Sequence, residues 1–185
     1  MIKKIILILL LICSSHILFA KELSYEKALK KYHRVGEQYS PENFHALYRW
    51  EVLWMSPELR EAQDKYLAQH YKDSAADLKA RETKSEKIEH QYTEFLVFFY
   101  TYNKKWNDLD APESLWQLRL EAAESHLKPS EIIKVKPTPL EESLYPYLAP
   151  WVKMYRVRFP VSDSSSELKL SLYGIKGEKE LVWKN

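Results

Sequence analysis

The sequence predicts a mainly β protein with additional helices, built as an antiparallel β-sandwich of six or seven strands. Past residue 93, apolar and polar side chains alternate in short segments, and a period of two places them on opposite faces of a strand. Aromatic residues form 14% of the chain, including 13 Tyr and 6 Trp, which suits a core between two sheets. Turn residues separate these segments at the spacing of an immunoglobulin-like (Ig-like) sandwich.

Residues 1–20, MIKKIILILLLICSSHILFA, have the pattern of a secretory signal peptide. Lys3 and Lys4 precede a short apolar stretch, and the small residue Ala20 precedes charged sequence. The apolar stretch is too short for a spanning helix. The sequence therefore predicts export across the inner membrane, to the periplasm or the periphery of the outer membrane. A retained anchor helix is the alternative.

Cys13 supports a second interpretation of this segment. It follows Leu10-Leu11-Ile12 and precedes two serines, which is similar to a bacterial lipoprotein signal. Cys13 is therefore a candidate lipidation site, and contact with a membrane is expected only if it is lipidated. Cleavage after Ala20 instead removes the single cysteine, leaving no thiol for disulfides, catalysis or zinc.

Charge and glycine content exclude several function classes. Loss of Lys3 and Lys4 leaves 26 basic and 26 acidic residues, so the mature chain lacks the basic character of a nucleic-acid binder. The chain has only three glycines, and none belongs to a phosphate-binding loop. We therefore expect no nucleic-acid partner and no cofactor.

Helical signals occupy the first half of the chain. Residues 24–39 carry apolar side chains at helical spacing behind Ser24, which predicts a helix within an N-terminal helical segment, 21–45. Ser56-Pro57-Glu58 combines a cap, a first-turn proline and a favourable charge, and Ser74 with Asp77 indicates another cap. These two helices form an insertion at 57–92, and the second is charged enough to be solvent-exposed.

Strand signals define a sandwich domain over 46–185. Residues 46–55 alternate and favour a first strand, with a helix from Pro41 as the alternative. The last two strands flank Gly174 and Gly177, which indicates a hairpin. The further predicted strands are 94–102, 116–122, 131–136, 154–161, 167–173 and 179–184.

The segment 106–116, WNDLDAPESLW, is the candidate site. Its structural interpretation is a loop, because Asn and Asp side chains stabilise turns. Its functional interpretations are Ca²⁺ binding, glycosidase-type acid–base chemistry and stacking of sugar rings on tryptophan. The spacing departs from the EF-hand pattern and lacks its glycine, so no metal site is predicted. The candidate binding residues are Trp106, Asp108, Asp110, Glu113, Trp116 and Trp151.

Several segments of the chain stand out together. They are SPELREAQDKY (56–66), WNDL (106–109), SLWQLRL (114–120), Pro129 before a strand, PYLAPW (146–151), YRVRFP (155–160) and LVW (181–183). This series resembles an uncharacterised group of exported bacterial proteins, many of which carry lipoprotein signals. The resemblance covers most of residues 46–183 and implies an envelope location and a common fold. It carries over no catalytic residue.

The combined prediction is a non-enzymatic, exported envelope protein that acts as a protein-interaction module. Exposed sandwich edges and a charged helix supply surfaces for another envelope protein. The sequence has no GxSxG motif and no histidine pair with metalloprotease spacing, so nothing favours a hydrolase. The alternative is a carbohydrate- or cell-wall-binding or -active protein that uses the cluster around 106–116.

Overall fold

The computed structural model describes residues 23–42, 44–122, 125–160, 167–175 and 177–184, and the predicted signal peptide and Cys13 lie outside these ranges. The four helices of the described ranges are α1 (Tyr25–Tyr32), α2 (Pro57–Tyr71), α3 (Ala75–Glu89) and α4 (Pro139–Leu144). Their nine strands are β1 (His33–Tyr39), β2 (Ala46–Trp54), β3 (Tyr92–Thr101), β4 (Trp116–Ala122), β5 (Ser125–Leu127), β6 (Glu131–Val135), β7 (Lys153–Pro160), β8 (Glu167–Gly174) and β9 (Gly177–Lys184).

The strands form two antiparallel sheets, which confirms the predicted class. One sheet has the order β1-β2-β3-β7-β6 and the other has the order β5-β4-β8-β9. The side chain of Arg34 on β1 donates a 2.9 Å hydrogen bond to the carbonyl of Val182 on β9, so the two sheets are tied at this side. On the opposite side, β6 and β5 are the edge strands.

Aromatic side chains fill the space between the sheets. Trp50 and Phe99 are cross-strand partners on the inner face of the first sheet, and the Trp116 ring lies 5.4 Å from Phe99. The Trp183 indole donates a 2.7 Å hydrogen bond to the Tyr32 carbonyl. The fully buried aromatic side chains between the sheets, among the described residues, are Tyr48, Trp50, Phe95, Phe99, Tyr155, Phe159 and Trp183.

The outer face of the five-stranded sheet is also covered. The Phe98 ring on this face lies 5.8 Å from Tyr145 and 5.4 Å from Tyr147, in the segment that follows α4. Met154, the cross-strand partner of Phe98, is buried on the same side. This covering explains why β3 is apolar on both faces, as its sequence predicted.

The predicted N-terminal helix is wrong beyond Tyr32. Residues His33–Tyr39 are strand β1, paired with β2, so among the described residues of the 21–45 segment only Tyr25–Tyr32 are helical. A Cβ at Gly36 would lie 1.9 Å from Nε1 of Trp50, so this position packs directly under a buried indole. The apolar residues of 24–39 have helical spacing throughout, but pairing with β2 makes the second part of this segment a strand.

The other helix predictions are confirmed. The Ser56 hydroxyl accepts a 3.2 Å hydrogen bond from the Leu59 amide, and Ser74 and Asp77 form a capping box. Helix α3 buries none of its residues, as its charge predicted. None of the helices in the described ranges is long and apolar enough to cross a bilayer.

Two strands and one helix escaped prediction. Strands β1 and β5 raise the seven predicted strands to nine within the described residues. Helix α4 begins at Pro139 behind a capping box of Thr138 and Glu141, a signal that the sequence does contain. Residues 46–54 form a strand, as favoured, and the hairpin joins Gly174 to Gly177.

Candidate functional site: the aromatic end of the sandwich

The loop over residues 106–116 is held by its two tryptophans. Trp116 is only 4% exposed, and its indole N–H donates a 2.7 Å hydrogen bond to the carbonyl of the half-buried Trp106. This bond closes the loop across its base. Trp116 therefore belongs to the core, and it presents no ring face to a ligand.

The three carboxylates of the loop do not form a shared ligand group. Asp108 accepts a 3.0 Å hydrogen bond from the Ser114 hydroxyl, which in turn accepts one from the Trp116 amide. Asp110 and Glu113 are exposed to solvent. Asp108 thus stabilises the turn, as the structural interpretation of the sequence expects. The described residues contain no group of three or more His, Cys, Asp or Glu that could hold a metal ion.

Trp151 is the one predicted site residue that presents an open aromatic face. It is 65% exposed and lines a groove of about 610 Å³ together with Tyr102, which is 61% exposed. The groove also takes in Tyr100, Lys104 and Lys153. Within the described part of the chain, no carboxylate lines it. Asp108 and Asp110 lie near enough to act on Lys153, but they do not themselves line the groove that holds Trp151.

Other exposed apolar side chains lie at this end of the sandwich. Phe44 lies in the turn between β1 and β2, and Ile175 lies in the turn between β8 and β9. Tyr39 ends β1 and is half exposed. We call the five residues of this region the aromatic end: Tyr39, Phe44, Tyr102, Trp151 and Ile175.

Contacts between elements place these residues at one end. The Tyr102 amide donates a 3.2 Å hydrogen bond to the Leu47 carbonyl near the start of β2, and the Tyr102 ring lies 4.2 Å from His45. Gly177, beside Ile175, packs against the Gln38 side chain near the end of β1. Residues distant in sequence therefore share one rim.

Phe44 is held outward by an uncommon backbone conformation. Its φ is 56°, in the left-handed region that a bulky side chain seldom adopts. Its amide donates a 3.0 Å hydrogen bond to the Ser40 carbonyl, which closes the turn. The side chain is 81% exposed, so no burial of its own ring offsets this strain. Strained residues of this kind are concentrated at functional sites.

The polar groups beneath the groove are engaged in a rigid network. The Asn107 side chain donates a 2.8 Å hydrogen bond to the Phe99 carbonyl and accepts one of 3.1 Å from the Tyr155 hydroxyl. Lys153 donates to the Asn107 carbonyl. Burial, together with the charge of Lys134, lowers the pKa of Lys153, and burial raises the pKa of Tyr155. The network fixes the floor of the groove and leaves aromatic faces and Lys104 outside it.

Sequence reasoning missed four members of the aromatic end. Tyr39 is the last residue of a strand, and Phe44, Tyr102 and Ile175 lie just beyond strands, where little of the sheet covers an apolar side chain. An apolar residue at the end of a strand is therefore the sequence signal for such a site. Using that signal requires knowing where each strand ends. The arrangement suits recognition of an apolar surface, and it contains no paired acid and base for proton transfer.

The fold and the aromatic end together define a two-sheet β-sandwich with a helical layer and an exposed apolar rim. No family model and no curated protein matches the chain. One solved structure similar to it is a novel protein of unknown function from Burkholderia pseudomallei K96243. The similarity has 10% identity and a TM-score of 0.41, over 85% of this chain and 81% of that chain. Neither a fold family nor an activity follows from similarity at this level.

Proposed function

We propose that this protein is a non-enzymatic, exported bacterial envelope protein that binds another envelope protein through its aromatic end. The observation that carries the proposal is the common position of five exposed apolar side chains, four of them from separate loops and turns. Soluble proteins seldom expose apolar side chains together unless they serve as a contact surface. Tyr, Trp and Phe are also the residues enriched where proteins associate.

The groove beside Trp151 indicates the chemistry of the partner. Its lining includes Lys104, whereas Lys153 already donates to the Asn107 carbonyl, and no carboxylate is among the described lining residues. A partner segment that combines an apolar anchor with an acidic side chain would fill the groove and pair with Lys104. Such pairs act mainly on specificity and association rate, while the buried aromatic anchors supply affinity.

Carbohydrate binding is the second candidate, favoured by the open faces of Trp151 and Tyr102 in one groove. Sugar recognition also needs polar groups that fix the hydroxyls. The Asn107 amide is already bonded to Phe99 and Tyr155, and Asp108 is bonded to Ser114. The groove is therefore poorer in open polar groups than a sugar site requires, and protein binding is the better account.

The envelope location rests on the N-terminal sequence. The mature chain begins at Lys21 if cleavage follows Ala20, or at an acylated Cys13 if the lipoprotein interpretation holds. Intact-mass measurement of the protein from the periplasmic and membrane fractions distinguishes these two forms. A full-length mass in the cytoplasmic fraction would contradict export.

A site-specific photocrosslinker tests the partner proposal in living cells. Placed at Tyr102, it is expected to give one discrete protein adduct, which is lost when Trp151→Ala is added. The matched control is Tyr71 at the end of α2, which is 57% exposed but lies outside the aromatic end. No adduct is expected from position 71.

Two results would contradict the proposal. Adducts of equal yield from positions 71 and 102 would show that any exposed aromatic position is captured. Binding to purified peptidoglycan that Trp151→Ala abolishes, in the absence of a protein adduct, would instead establish the carbohydrate candidate.

A further inference from the structure

A second cleft lies on the outer face of the five-stranded sheet, between that sheet and helices α2, α3 and α4. Its volume is about 420 Å³, within the range of small-molecule sites. Glu94 lines this cleft near the start of β3, whereas the aromatic end lies beyond Thr101 at the end of the same strand. The two regions are therefore separated by about 23 Å along β3. The cleft is therefore a separate site.

Arginine side chains dominate one wall of this cleft. Glu94 accepts hydrogen bonds of 2.8 Å from Arg60 and 2.7 Å from Arg158, one on each carboxylate oxygen. Arg156 approaches the same carboxylate at 3.9 Å, beyond hydrogen-bonding distance. One carboxylate thus faces three guanidinium groups and satisfies two of them.

The opposite wall comes from α3 and adds two more cations, Arg81 and Lys84. Arg81 pairs with Asp73 through one nitrogen at 2.9 Å. Lys84 forms no ion pair with any residue that the structure describes. Arg156 has only its long 3.9 Å ion pair with Glu94, and Lys84 has none, so both retain hydrogen-bond donors in the cleft that no carboxylate of the described residues accepts from.

The carboxylates of the cleft are already engaged. Besides Glu94, the cleft is lined by Asp64 and Glu141. Asp64 accepts a 2.7 Å hydrogen bond from the Ser85 hydroxyl, and Glu141 caps α4 by accepting one of 2.8 Å from the Thr138 amide. Five cations line the cleft, but Arg60, Arg81 and Arg158 are already paired with carboxylates, some of which lie outside the lining. The attraction for an entering anion therefore comes from Arg156 and Lys84.

Much of the remaining lining is apolar, beside the polar side chains of Gln63, Ser85 and Thr138. The apolar part combines flexible methionine and leucine side chains, which adapt to ligand shape. Tyr145 closes one side and donates its hydroxyl to Gln63 at 3.1 Å. The apolar lining residues are Met55, Leu67, Ile88, Leu96, Leu140, Leu144 and Met154.

We infer that this cleft binds a small anionic amphiphile, with an apolar body against the methionines and leucines and an acidic head group between Arg156 and Lys84. The lining accounts for both the acidic head group and the apolar body of the ligand. Cations alone would bind any anion, and apolar side chains alone would bind any apolar molecule. A carboxylate or a phosphate head satisfies the same donors.

Calorimetric titration of the purified protein with dodecanoate, below its micelle concentration, tests the inference. We expect saturable binding of one molecule per chain. Dodecyl phosphate in a parallel titration distinguishes the head groups. Arg156→Gln and Lys84→Gln are each expected to weaken dodecanoate binding about tenfold, the effect of one lost charged hydrogen bond. Lys84 is exposed on α3, so its substitution leaves the fold intact.

Matched controls separate this cleft from unspecific binding. Arg119→Gln removes an exposed arginine on the other sheet and should leave dodecanoate affinity unchanged. Trp151→Ala should also leave it unchanged, which distinguishes failure of this inference from failure of the proposed function. Equal affinity for dodecyltrimethylammonium, equal affinity for acetate, or no saturable binding of dodecanoate would each overturn the inference.

Discussion

The carboxylate of Glu94 accepts a 2.8 Å hydrogen bond from the guanidinium of Arg60, which lies 34 residues earlier in the chain. Arg158, 64 residues later, bonds the other carboxylate oxygen at 2.7 Å. Glu94 is almost wholly buried, so its charge is stable only with both arginines in place. The ion pairs of Glu94 with Arg60 and Arg158 therefore join α2 to β3 and β7.

Glu94→Gln is expected to destabilise the protein by about 3 kcal/mol, because it leaves two guanidinium groups without their shared anion. Urea unfolding at neutral pH measures the change in the free energy of unfolding. Glu121→Gln is the control, since Glu121 pairs with Lys169 at 2.9 Å on the solvent-exposed face of the other sheet. Its unfolding midpoint should not move measurably, and an equal loss in both variants would contradict the prediction.

The same carboxylate makes stability dependent on pH. Burial raises the pKa of Glu94, but the attraction of Arg60 and the hydrogen bonds from Arg158 and Arg60 outweigh it and hold the pKa below 4.5. A lowered pKa stabilises the folded state above the unfolded pKa, and this contribution is lost as pH falls through the folded pKa. The advantage of the wild type over Glu94→Gln should therefore be constant near neutrality and shrink below about pH 4.5.

Urea midpoints from pH 7 to pH 3 measure that difference. Glu51 and Glu58 also have lowered pKa values but are present in both proteins, so subtraction removes their effect. A difference that stays constant through the acid range would contradict the prediction.

Two buried tyrosines should respond oppositely to loss of their hydroxyl groups. The Tyr48 hydroxyl is buried without a hydrogen-bond partner among the described residues, whereas that of Tyr155 donates to Asn107 at 3.0 Å. Tyr48→Phe should leave stability unchanged or raise it, and Tyr155→Phe should lower it by about 1 kcal/mol. Equal losses on thermal unfolding would contradict this contrast.

Gly36→Ala is expected to cost about 1–3 kcal/mol, because the added Cβ would overlap the buried Trp50 indole. Urea unfolding of Gly36→Ala, Trp50→Phe and the double variant tests this reason. The smaller phenylalanine ring makes room for the new methyl group, so the double variant should lose less than the two single losses together. If the stability losses of the two single variants add exactly in the double variant, contact with Trp50 is not the cause of the Gly36→Ala loss.

Ser74→Ala should act locally, because α3 buries none of its residues. Loss of its capping box should speed hydrogen exchange of the α3 amides about fivefold and leave the global urea midpoint in place. Ser56→Ala, at the buried start of α2, should instead lower global stability by about 1 kcal/mol. A global shift of the same size in both variants would contradict this assignment.

The sequence by itself determined the elements whose signals are local. Alternation over 46–54 and beyond residue 93, the caps at Ser56 and Ser74, and the hairpin at Gly174 all depend on near neighbours in the chain. A period of two also fixed which side chains share a face, and so predicted that most indoles lie in the core.

Only the tertiary structure decided which other elements pack against each face of a strand or helix. His33–Tyr39 is a strand because β2 pairs with it and Trp50 packs over Gly36, contacts that its helical spacing cannot reveal. Trp116 is buried and Trp151 is exposed, although both lie near strand starts. Glu94 gathers its arginines from α2 and β7. Periodicity orders side chains along one element, whereas burial and charge pairing depend on elements brought together from distant parts of the chain.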